Sequence, residues 1–276
     1  MENLRVCFVG TGSMGSAVLK GLLAAGHPAA LISATTNSTA SATELRALGV
    51  SAMALEEAQD ANSLMAGDAD LVVLGVKPYQ IVEVLGQLHG EIAKNAVVIS
   101  MAAGISLDTI SGALPDNPNL IRSMPNTPAL VGKGVTGISA GASCSKEALV
   151  AAGELFASVG AVVEVPEAMI NPLSAISGSG PAWVYYFIEQ WEAIAIEQGF
   201  NKEQSELMVR GTFDGAIELL AQGDREPSEL RRRVTSPGGT TAKIIETFDQ
   251  AQLKSIFEAG LKAAVLRAEE IASATQ

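Results

Sequence analysis

The chain has 276 residues, of which 48% are hydrophobic, 17% charged and 4% aromatic. This composition is typical of a globular protein with a sizeable core and excludes intrinsic disorder, and the length predicts roughly two domains. Acidic residues outnumber basic ones by 30 to 18, for a formal net charge of −12, so nucleic acid is not expected as a partner.

Within the first 165 residues, short apolar runs alternate with stretches in which apolar residues recur at helical spacing. The apolar runs predict β-strands at residues 4–9, 30–34, 71–76, 95–101, 120–124 and 135–140. The helical patterns cover residues 13–25, 41–48 and 81–88. Because strands that alternate with helices form parallel sheets, we expect an α/β domain over residues 1–165, with a parallel sheet and helices on both faces.

The pattern changes after about Val165. Helical patterns cover residues 182–198, 202–222 and 251–274, and no alternating strand is evident from residue 168 onward. We therefore predict a separate all-α domain over residues 166–276. Its Ala- and Leu-rich faces would bury more apolar surface against a second copy of the chain, so we expect this domain to form a homodimer.

Cysteine and histidine are scarce. Cys7 and Cys144 are far apart, which excludes a disulfide framework, and neither they nor His27 and His89 have the spacing of a metal site. No metal is expected, and a Ser-His-Asp hydrolase is disfavoured. The first residues lack the pattern of a signal peptide and the apolar runs are too short to span a membrane, so we expect a cytoplasmic protein without membrane contact.

Residues 10–15 read Gly-Thr-Gly-Ser-Met-Gly, which fits the pattern G-x-G-x-x-G. The pattern follows the first predicted strand and opens the first predicted helix, as in Rossmann-type dinucleotide-binding domains. Gly10 suits the tight turn, Gly12 lets the backbone approach a pyrophosphate, and Gly15 lets the helix pack on the strand. The start of the helix offers N–H groups to a phosphate. The alternative is a turn with a purely structural role.

Residues at the end of the second strand, about 20 residues further along the chain, determine whether such a domain binds NAD or NADP. Here the residues are Thr35, Thr36, Asn37 and Ser38, and no acid occurs before Glu44. A carboxylate would repel the 2′-phosphate of NADP, whereas hydroxyl and amide groups can donate hydrogen bonds to it. The loop therefore favours NADPH, with NADH as a second cofactor; the alternative is a solvated loop.

Four further segments of the sequence indicate which protein family the chain resembles. They read Val-Lys-Pro at 76–78, Arg-Ser-Met-Pro-Asn-Thr-Pro at 122–128, Ser-Gly-Ser-Gly-Pro-Ala at 177–182 and Val-Thr-Ser-Pro-Gly-Gly-Thr-Thr at 234–241. In this order and spacing, the chain resembles the pyrroline-5-carboxylate reductases from about residue 4 to the C-terminus. The Ser-Pro-Gly-Gly-Thr-Thr run is the most specific part of the resemblance.

This resemblance implies a Rossmann domain followed by a helical domain that interlocks with that of a second subunit, and some members of the family build oligomers higher than a dimer. It implies reduction of the imine 1-pyrroline-5-carboxylate to L-proline with NADPH or NADH, the last step of proline biosynthesis. Family members often carry an Arg in the loop that binds the 2′-phosphate, and this chain has none there. The cofactor contacts that the resemblance implies are Gly12, Ser13, Met14, Thr35, Asn62, Val76, Lys77 and Ala103.

The loop of residues 236–241 suits the carboxylate of such a substrate. Pro237 restricts the backbone before it, and Gly238 and Gly239 can turn successive N–H groups inward to bind an anion. The matching Thr of the family implies that Thr241 orients the ring nitrogen, which makes it the candidate catalytic residue. An ordinary helix cap is the alternative. The candidate substrate-binding residues are Asp224, Ser236, Gly238, Gly239, Thr240 and Thr241.

Other roles remain open. Asp224 aligns with an acidic position of the family near the substrate, or it is a solvated acid beside Arg225. Lys77 contacts the nicotinamide ribose or the substrate, or it closes a strand at the surface. The segment 122–128 is expected to form a wall of the nicotinamide pocket rather than to take part in the chemistry, and the segment 177–181 lines the site or only packs.

Two alternative functions are weighed against imine reduction by this family. One is an NADP-dependent reductase of another cyclic imine or of a hydroxyacid, although no counterpart of the helix-borne catalytic Lys of hydroxyacid dehydrogenases is evident. The other is a non-catalytic regulator that binds a dinucleotide. The intact loop at residues 236–241 argues against the regulator, because a sensor needs no binding site for a substrate.

Overall fold

The computed structural model describes residue 1 and residues 3–274. The chain divides into two compact units, which we call the sheet unit and the helical unit. The sheet unit comprises residues 1–179 together with the stretch that begins at Ala264, and the helical unit comprises Gly180–Ala263. The predicted domain boundary after residue 165 stays a prediction, and the end of the predicted 166–276 domain lies outside the described residues.

The sheet unit contains eight strands in the order β3-β2-β1-β4-β5-β6-β7-β8. The chain reverses the direction in which it adds strands between β1 and β4, which is where sheets of this kind bind ligands. All neighbouring pairs are parallel except β6 and β7. The strands are β1 (Val6–Val9), β2 (Ile32–Thr36), β3 (Ser51–Ala54), β4 (Leu71–Leu74), β5 (Val97–Ser100), β6 (Leu120–Met124), β7 (Gly134–Ala140) and β8 (Gly160–Glu164).

Helices connect the strands, and short 3-10 turns occur at Ala29–Leu31, Pro78–Gln80, Thr127–Val131 and Glu167–Met169. The helices up to residue 173 are α1 (Ser13–Ala24), α2 (Thr39–Arg46), α3 (Ala61–Ala66), α4 (Ile81–Leu88), α5 (Leu107–Ala113), α6 (Lys146–Ala157) and α7 (Ile170–Leu173). A π-helical turn, Ser174–Gly178, follows α7. The later helices are α8 (Gly180–Glu197), α9 (Lys202–Ala221), α10 (Pro227–Arg233), α11 (Thr240–Gln250) and α12 (Leu253–Ala274).

The core lies on both faces of the sheet. Along β1, Val6 and Phe8 belong to one apolar cluster, and Cys7 and Val9 belong to the other. This division follows from the alternation of side chains along a strand, and it confirms the predicted helices on both faces. Burial raises the pKa of the Cys7 thiol to about 12, so the thiol stays protonated at neutral pH.

The sheet differs from the sequence prediction in two respects. The strands β3 and β8 were not predicted: Ser51–Ala54 consists of small residues and a Met, and the short Ala-Val-Val run in Gly160–Glu164 was not recognised as a strand. In addition, β7 runs antiparallel to β6, with Met124 opposite Gly137. An antiparallel neighbour needs no helical crossover, and only a 3-10 turn separates these two strands.

The helical unit buries little of its own apolar surface. Among its described residues, only Ser205 and Val209 are buried. Its aromatic residues contact one another in pairs, with ring centroids 6.1 Å apart for Trp183 and Phe257 and 5.5 Å apart for Trp191 and Phe213. The predicted all-α character is confirmed. Of the helices in the described part of the chain, none combines the length and hydropathy needed to cross a membrane. The cytoplasmic location stays a prediction.

Candidate functional site

The glycine-rich loop connects β1 to α1 at the point where the strand order reverses. Gly10 has a φ of +77°, and a Cβ atom there would collide with Cγ1 of Val76, which follows β4. Only glycine fits both demands. A Cβ on Gly12 would have no neighbour within 4 Å, so the protein leaves open space beside this residue. The loop therefore has room for a ligand that approaches its backbone.

The start of α1 leaves its N–H groups available. Gly12 is the N-cap, and no side chain in the described part of the chain caps this helix. By contrast, the N-cap residues of α2, α5, α6 and α9 have side chains that accept a hydrogen bond from an N–H of the first turn; they are Ser38, Ser106, Ser145 and Asn201. Unpaired N–H groups at a helix start bind anions. The open space at Gly12 and these groups together fit the pyrophosphate of a dinucleotide.

A buried hydrogen-bond chain holds the loop in place. The Gly10 N–H donates to Thr35 Oγ1 at 2.9 Å, and Thr35 Oγ1 donates to Asn62 Oδ1 at 2.8 Å. The Thr11 N–H donates to the carbonyl oxygen of Thr35 at 2.7 Å. Asn62 in turn donates to Gln87 Oε1 at 3.0 Å. Because the Thr35 hydroxyl already accepts and donates, the structure gives this residue a role in fixing the glycine loop.

An acidic side chain that the sequence analysis missed lies at the end of β2. The Thr36 hydroxyl donates to the carbonyl oxygen of Ser38 at 2.9 Å, which shapes the turn into α2. The N–H of Thr39, the first residue of α2, donates to Glu56 Oε2 at 2.9 Å. The Glu56 N–H donates to the carbonyl oxygen of Asn37 at 3.3 Å. A carboxylate thus stands at the loop that the sequence describes as free of acids.

The ends of β4 and β5 complete this edge of the sheet. A Cβ on Gly75 would lie 2.7 Å from the carbonyl oxygen of Gly10 and 3.3 Å from Cε of Met101. The loops after β1, β4 and β5 are therefore in direct contact. Lys77 is exposed at the start of the turn after β4, and Ala103 is exposed in the loop after β5. Both side chains are accessible to a ligand at this edge.

A cavity of about 260 Å³ opens beside Ala103 and is walled by the end of β6. Arg122 in this wall is 6% exposed. Its Nη1 lies 3.3 Å from Glu167 Oε1, and its Nη2 donates to Asn171 Oδ1 at 2.9 Å. Glu167 Oε1 also accepts the N–H of Leu107, the first residue of α5, at 2.7 Å. Arg122 thus joins β6 to the turn at Glu167–Met169 and to α7, which belong to the same unit.

At this wall the segment 122–128, noted in the sequence, meets residues 177–179, which are the part of the segment 177–182 that belongs to the sheet unit. Asn126 Nδ2 donates to the carbonyl oxygen of Ser177 at 2.9 Å, and the Val135 N–H donates to Asn126 Oδ1 at 2.8 Å. A Cβ on Gly178 would lie 3.1 Å from Cε of Met124, so the glycine permits this close packing. Met124 and Ser179, one from each segment, line the cavity within the sheet unit.

In the helical unit, residues 236–239 form a tight turn before α11. The Gly239 N–H donates to the carbonyl oxygen of Ser236 at 3.0 Å, and Gly238 has a φ of +71°. Proline followed by a left-handed glycine is typical of a type II turn. A Cβ on Gly239 would lie 2.6 Å from Ser236 Oγ. Gly239 is the N-cap of α11, and in the described residues no side chain caps this helix, which argues against an ordinary Ser/Thr cap.

Comparison with known proteins identifies the family. A family model described as "Pyrroline-5-carboxylate reductase dimerisation" matches residues 167–271, and one described as "NADP oxidoreductase coenzyme F420-dependent" matches residues 5–104. The pyrroline-5-carboxylate reductase of Vibrio alginolyticus is 39% identical over 273 residues, which cover 98% of each chain. The chain belongs to the pyrroline-5-carboxylate reductase family.

Other members of the family agree with this assignment. The pyrroline-5-carboxylate reductase of Methanosarcina acetivorans is 33% identical over 98% of this chain and 97% of its own. The solved structure of the Coxiella burnetii enzyme matches with a TM-score of 0.90 at 34% identity, over 97% of this chain and 98% of that one. A Plasmodium falciparum structure with NADP bound matches with a TM-score of 0.85 at 26% identity, over 99% of both chains.

The structure of this reductase-family chain sorts the predicted residues into two sets. The contacts of these residues with ligands stay predictions. The predicted cofactor residues all lie in the sheet unit: Gly10, Gly12, Ser13, Met14, Gly15, Thr35, Thr36, Asn37, Asn62, Val76, Lys77 and Ala103. The predicted substrate residues all lie in the helical unit: Asp224, Ser236, Gly238, Gly239, Thr240 and Thr241.

Glu56, Glu167 and Asn171 were not predicted from the sequence. Each reaches its partners over a long separation in the chain, which is 17 residues for Glu56 and Thr39 and 49 residues for Asn171 and Arg122. The sequence offered no local pattern for these contacts. A prediction of β3 would have placed Glu56 beside the end of β2.

Proposed function

We propose that the chain reduces 1-pyrroline-5-carboxylate to L-proline by hydride transfer from NADPH, with NADH as a second donor. The observation that carries the proposal is the 39% identity to a pyrroline-5-carboxylate reductase over 98% of both chains. It is supported by two helices, α1 and α11, that begin at an uncapped glycine, one in each unit. Each helix start suits one of the two anionic ligands of this reaction.

The sheet unit is proposed to hold the dinucleotide. Gly12 and the first-turn N–H groups of Ser13 and Met14 face the pyrophosphate, while Thr35 and Asn62 keep the glycine loop rigid. Val76 and Ala103 border the nicotinamide, and Lys77 lies on the ribose side. When bound, the cofactor supplies a hydride from C4 of its nicotinamide, and the protein supplies orientation and electrostatics.

The helical unit is proposed to hold the imine acid. The turn at Ser236, Gly238 and Gly239 and the N–H of Thr240 bind the carboxylate, and the Thr241 hydroxyl forms a hydrogen bond with the ring nitrogen. Asp224 balances the positive charge of the protonated imine. A cyclic imine is basic enough to be partly protonated near neutral pH, so the residues have to orient it rather than supply a strong acid.

Dimerisation is proposed for the helices of residues 166–276. The support is the match of residues 167–271 to a dimerisation model and the apolar surface that the helical unit leaves exposed. Leu207 is 75% exposed, Ile217 64% and Tyr185 62%, although large apolar side chains of this kind are normally buried.

The reaction is tested by mixing the protein with 1-pyrroline-5-carboxylate and following the loss of NADPH or NADH absorbance. Rapid oxidation that yields proline supports the proposal. Oxidation only with another cyclic imine or a hydroxyacid would replace the substrate. Cofactor binding without oxidation of any of these substrates would favour a non-catalytic regulator.

The role of Thr241 is tested with Thr241→Val. Because a hydrogen bond to a charged group contributes about 1.5–3 kcal/mol, kcat/KM for the imine acid should fall about 10- to 100-fold. The matched control is Thr247→Val on the same helix, whose hydroxyl donates to the carbonyl oxygen of Lys243 at 2.8 Å. The control should stay within about twofold of wild type. Equal losses in both variants would contradict the assignment.

A further inference from the structure

Glu56 lies at the edge of the sheet where we propose that the dinucleotide binds. None of the roles assigned above explains its position. Its Oε2 accepts the N–H of Thr39 at 2.9 Å, at the first residue of α2. Its own N–H donates to Asn37, and the Leu55 N–H donates to the carbonyl oxygen of Thr36 at 2.9 Å. These backbone bonds extend the pairing of β3 with β2 and fix the carboxylate at the carboxyl end of β2.

This carboxylate lies next to the glycine loop in the fold. Thr35, the residue before Thr36, binds the N–H groups of Gly10 and Thr11. The end of β2 is where dinucleotide-binding folds recognise the adenosine ribose, commonly with an acidic side chain that accepts the 2′-hydroxyl. Here the acid comes from the segment after β3 rather than from β2 itself, so the sequence of residues 35–38 conceals it.

Glu56 forms no ion pair with a Lys or Arg among the described residues. Residues 36–39 contain no Lys or Arg, and the base at the other end of α2, Arg46, is already engaged. Its Nη1 donates to Glu57 Oε1 at 3.0 Å and its Nε donates to the carbonyl oxygen of Ala52 at 2.8 Å. A 2′-phosphate would bring a further charge of about −1.5 to −2 to the same helix start. It would also compete for the Thr39 N–H.

We propose that Glu56 determines the cofactor preference of this reductase by opposing the 2′-phosphate of NADPH while tolerating the 2′-hydroxyl of NADH. The inference rests on the proposed function, because it assumes that the sheet unit binds a nicotinamide dinucleotide. Glu56 offsets the advantage that the acid-free residues 35–38 give to NADPH. The wild-type enzyme therefore uses both NADPH and NADH, with only a weak preference for NADPH.

The test measures binding and turnover separately with Glu56→Gln. The amide oxygen can still accept the Thr39 N–H, so α2 keeps this contact while the charge is lost. Isothermal titration calorimetry gives the Kd of NADP⁺ and NAD⁺ without any substrate. Removing one charge should tighten NADP⁺ binding on the order of 10-fold and leave NAD⁺ binding unchanged or weaker. The NADPH-to-NADH ratio of kcat/KM should rise by a similar factor.

Glu44→Gln is the matched control. Glu44 is exposed on the same helix and lies away from its start, so the variant has the same net charge as Glu56→Gln. Both Kd values should change by less than about twofold in the control, because Glu44 lies away from the helix start where the 2′-phosphate is proposed to bind, and solvent ions screen a charge that is further away. If Glu56→Gln lowers the Tm, Glu56→Ser is the second variant, since its smaller side chain also removes the charge.

The outcomes separate the two proposals. An equal change in both Kd values, or none, in the Glu56 variants would overturn the cofactor inference. A selective change in NADP⁺ binding without oxidation of NADPH by 1-pyrroline-5-carboxylate would support the cofactor inference and overturn the proposed function. Absence of binding by either dinucleotide would overturn both.

Discussion

The sheet unit and the helical unit use apolar residues in opposite ways. In the sheet unit, Phe8 and Phe156 are at most 1% exposed and belong to a core that covers the sheet. In the helical unit, Trp191 is 43% and Leu207 is 75% exposed, and Val209 is the buried apolar side chain of its described residues. The contrast indicates that the sheet unit supplies its own stability, whereas the helical unit needs a second surface against which to pack.

The largest expected effect tests the core of the sheet unit. Phe8→Ala removes a fully buried ring and leaves a cavity between the sheet and its helices, so the free energy of unfolding should fall by about 3–5 kcal/mol. Urea denaturation followed by circular dichroism measures it. Val82→Ala, at a position on α4 that is 50% exposed, is the control and should cost about 0.5 kcal/mol or less. Equal costs for the two variants would remove the contrast.

The next effect concerns the exposed face of the helical unit. Leu207→Asp places a charge on apolar surface that we propose a second subunit covers, so the free energy of association should weaken by about 2–4 kcal/mol. Sedimentation velocity over a range of concentrations measures the monomer–dimer equilibrium. Leu64→Asp, at a residue of α3 that is 60% exposed, makes the same change in the sheet unit and should leave association intact. If the wild-type protein is a monomer at all concentrations, the proposed dimer is wrong.

The smallest expected effect is the loss of stability when an ion pair is broken in each of the two units. Arg122→Leu leaves Glu167, which is 32% exposed, without its cation and removes the bond to Asn171, so the free energy of unfolding should fall by about 2–3 kcal/mol. The control, Arg210→Leu in the helical unit, breaks ion pairs with Glu192 at 2.8 Å and with Glu206 at 3.1 Å, and the Arg side chain is 58% exposed. Its cost should be about 1 kcal/mol or less, because water screens these pairs. Chemical denaturation of both variants gives the difference.

The sequence predicted those strands that carry a strong apolar signal. Leu71–Leu74 and Val97–Ser100 are buried along their whole length, and their β-branched runs are visible without a structure. Ser51–Ala54 has no such run, and Gly160–Glu164 lies largely accessible at the edge of the sheet. Ser51–Ala54 forms a strand because β2 pairs with it, which a local pattern does not reveal, whereas the Ala-Val-Val run in Gly160–Glu164 is visible in the sequence but was not predicted as a strand.

By itself, the sequence determined the features that depend on local backbone demands. The glycine loop is one such feature. The left-handed conformation of Gly10 and the open space at Gly12 both depend on glycines that lie two residues apart in the chain. The turn at Pro237 and Gly238 is another, because its two central residues specify its type. Family resemblance assigned ligands to both, and the family is confirmed by the comparisons.

Only the tertiary structure decided which distant side chains join these loops. Pairing of β3 with β2 brings the Glu56 carboxylate to the start of α2, although residues 35–38 contain no acid. The packing of residues 167–171 against β6 likewise places Glu167 and Asn171 on Arg122. The physical reason is that strand pairing and burial act across space, so polar groups far apart in the chain become hydrogen-bond and ion-pair partners.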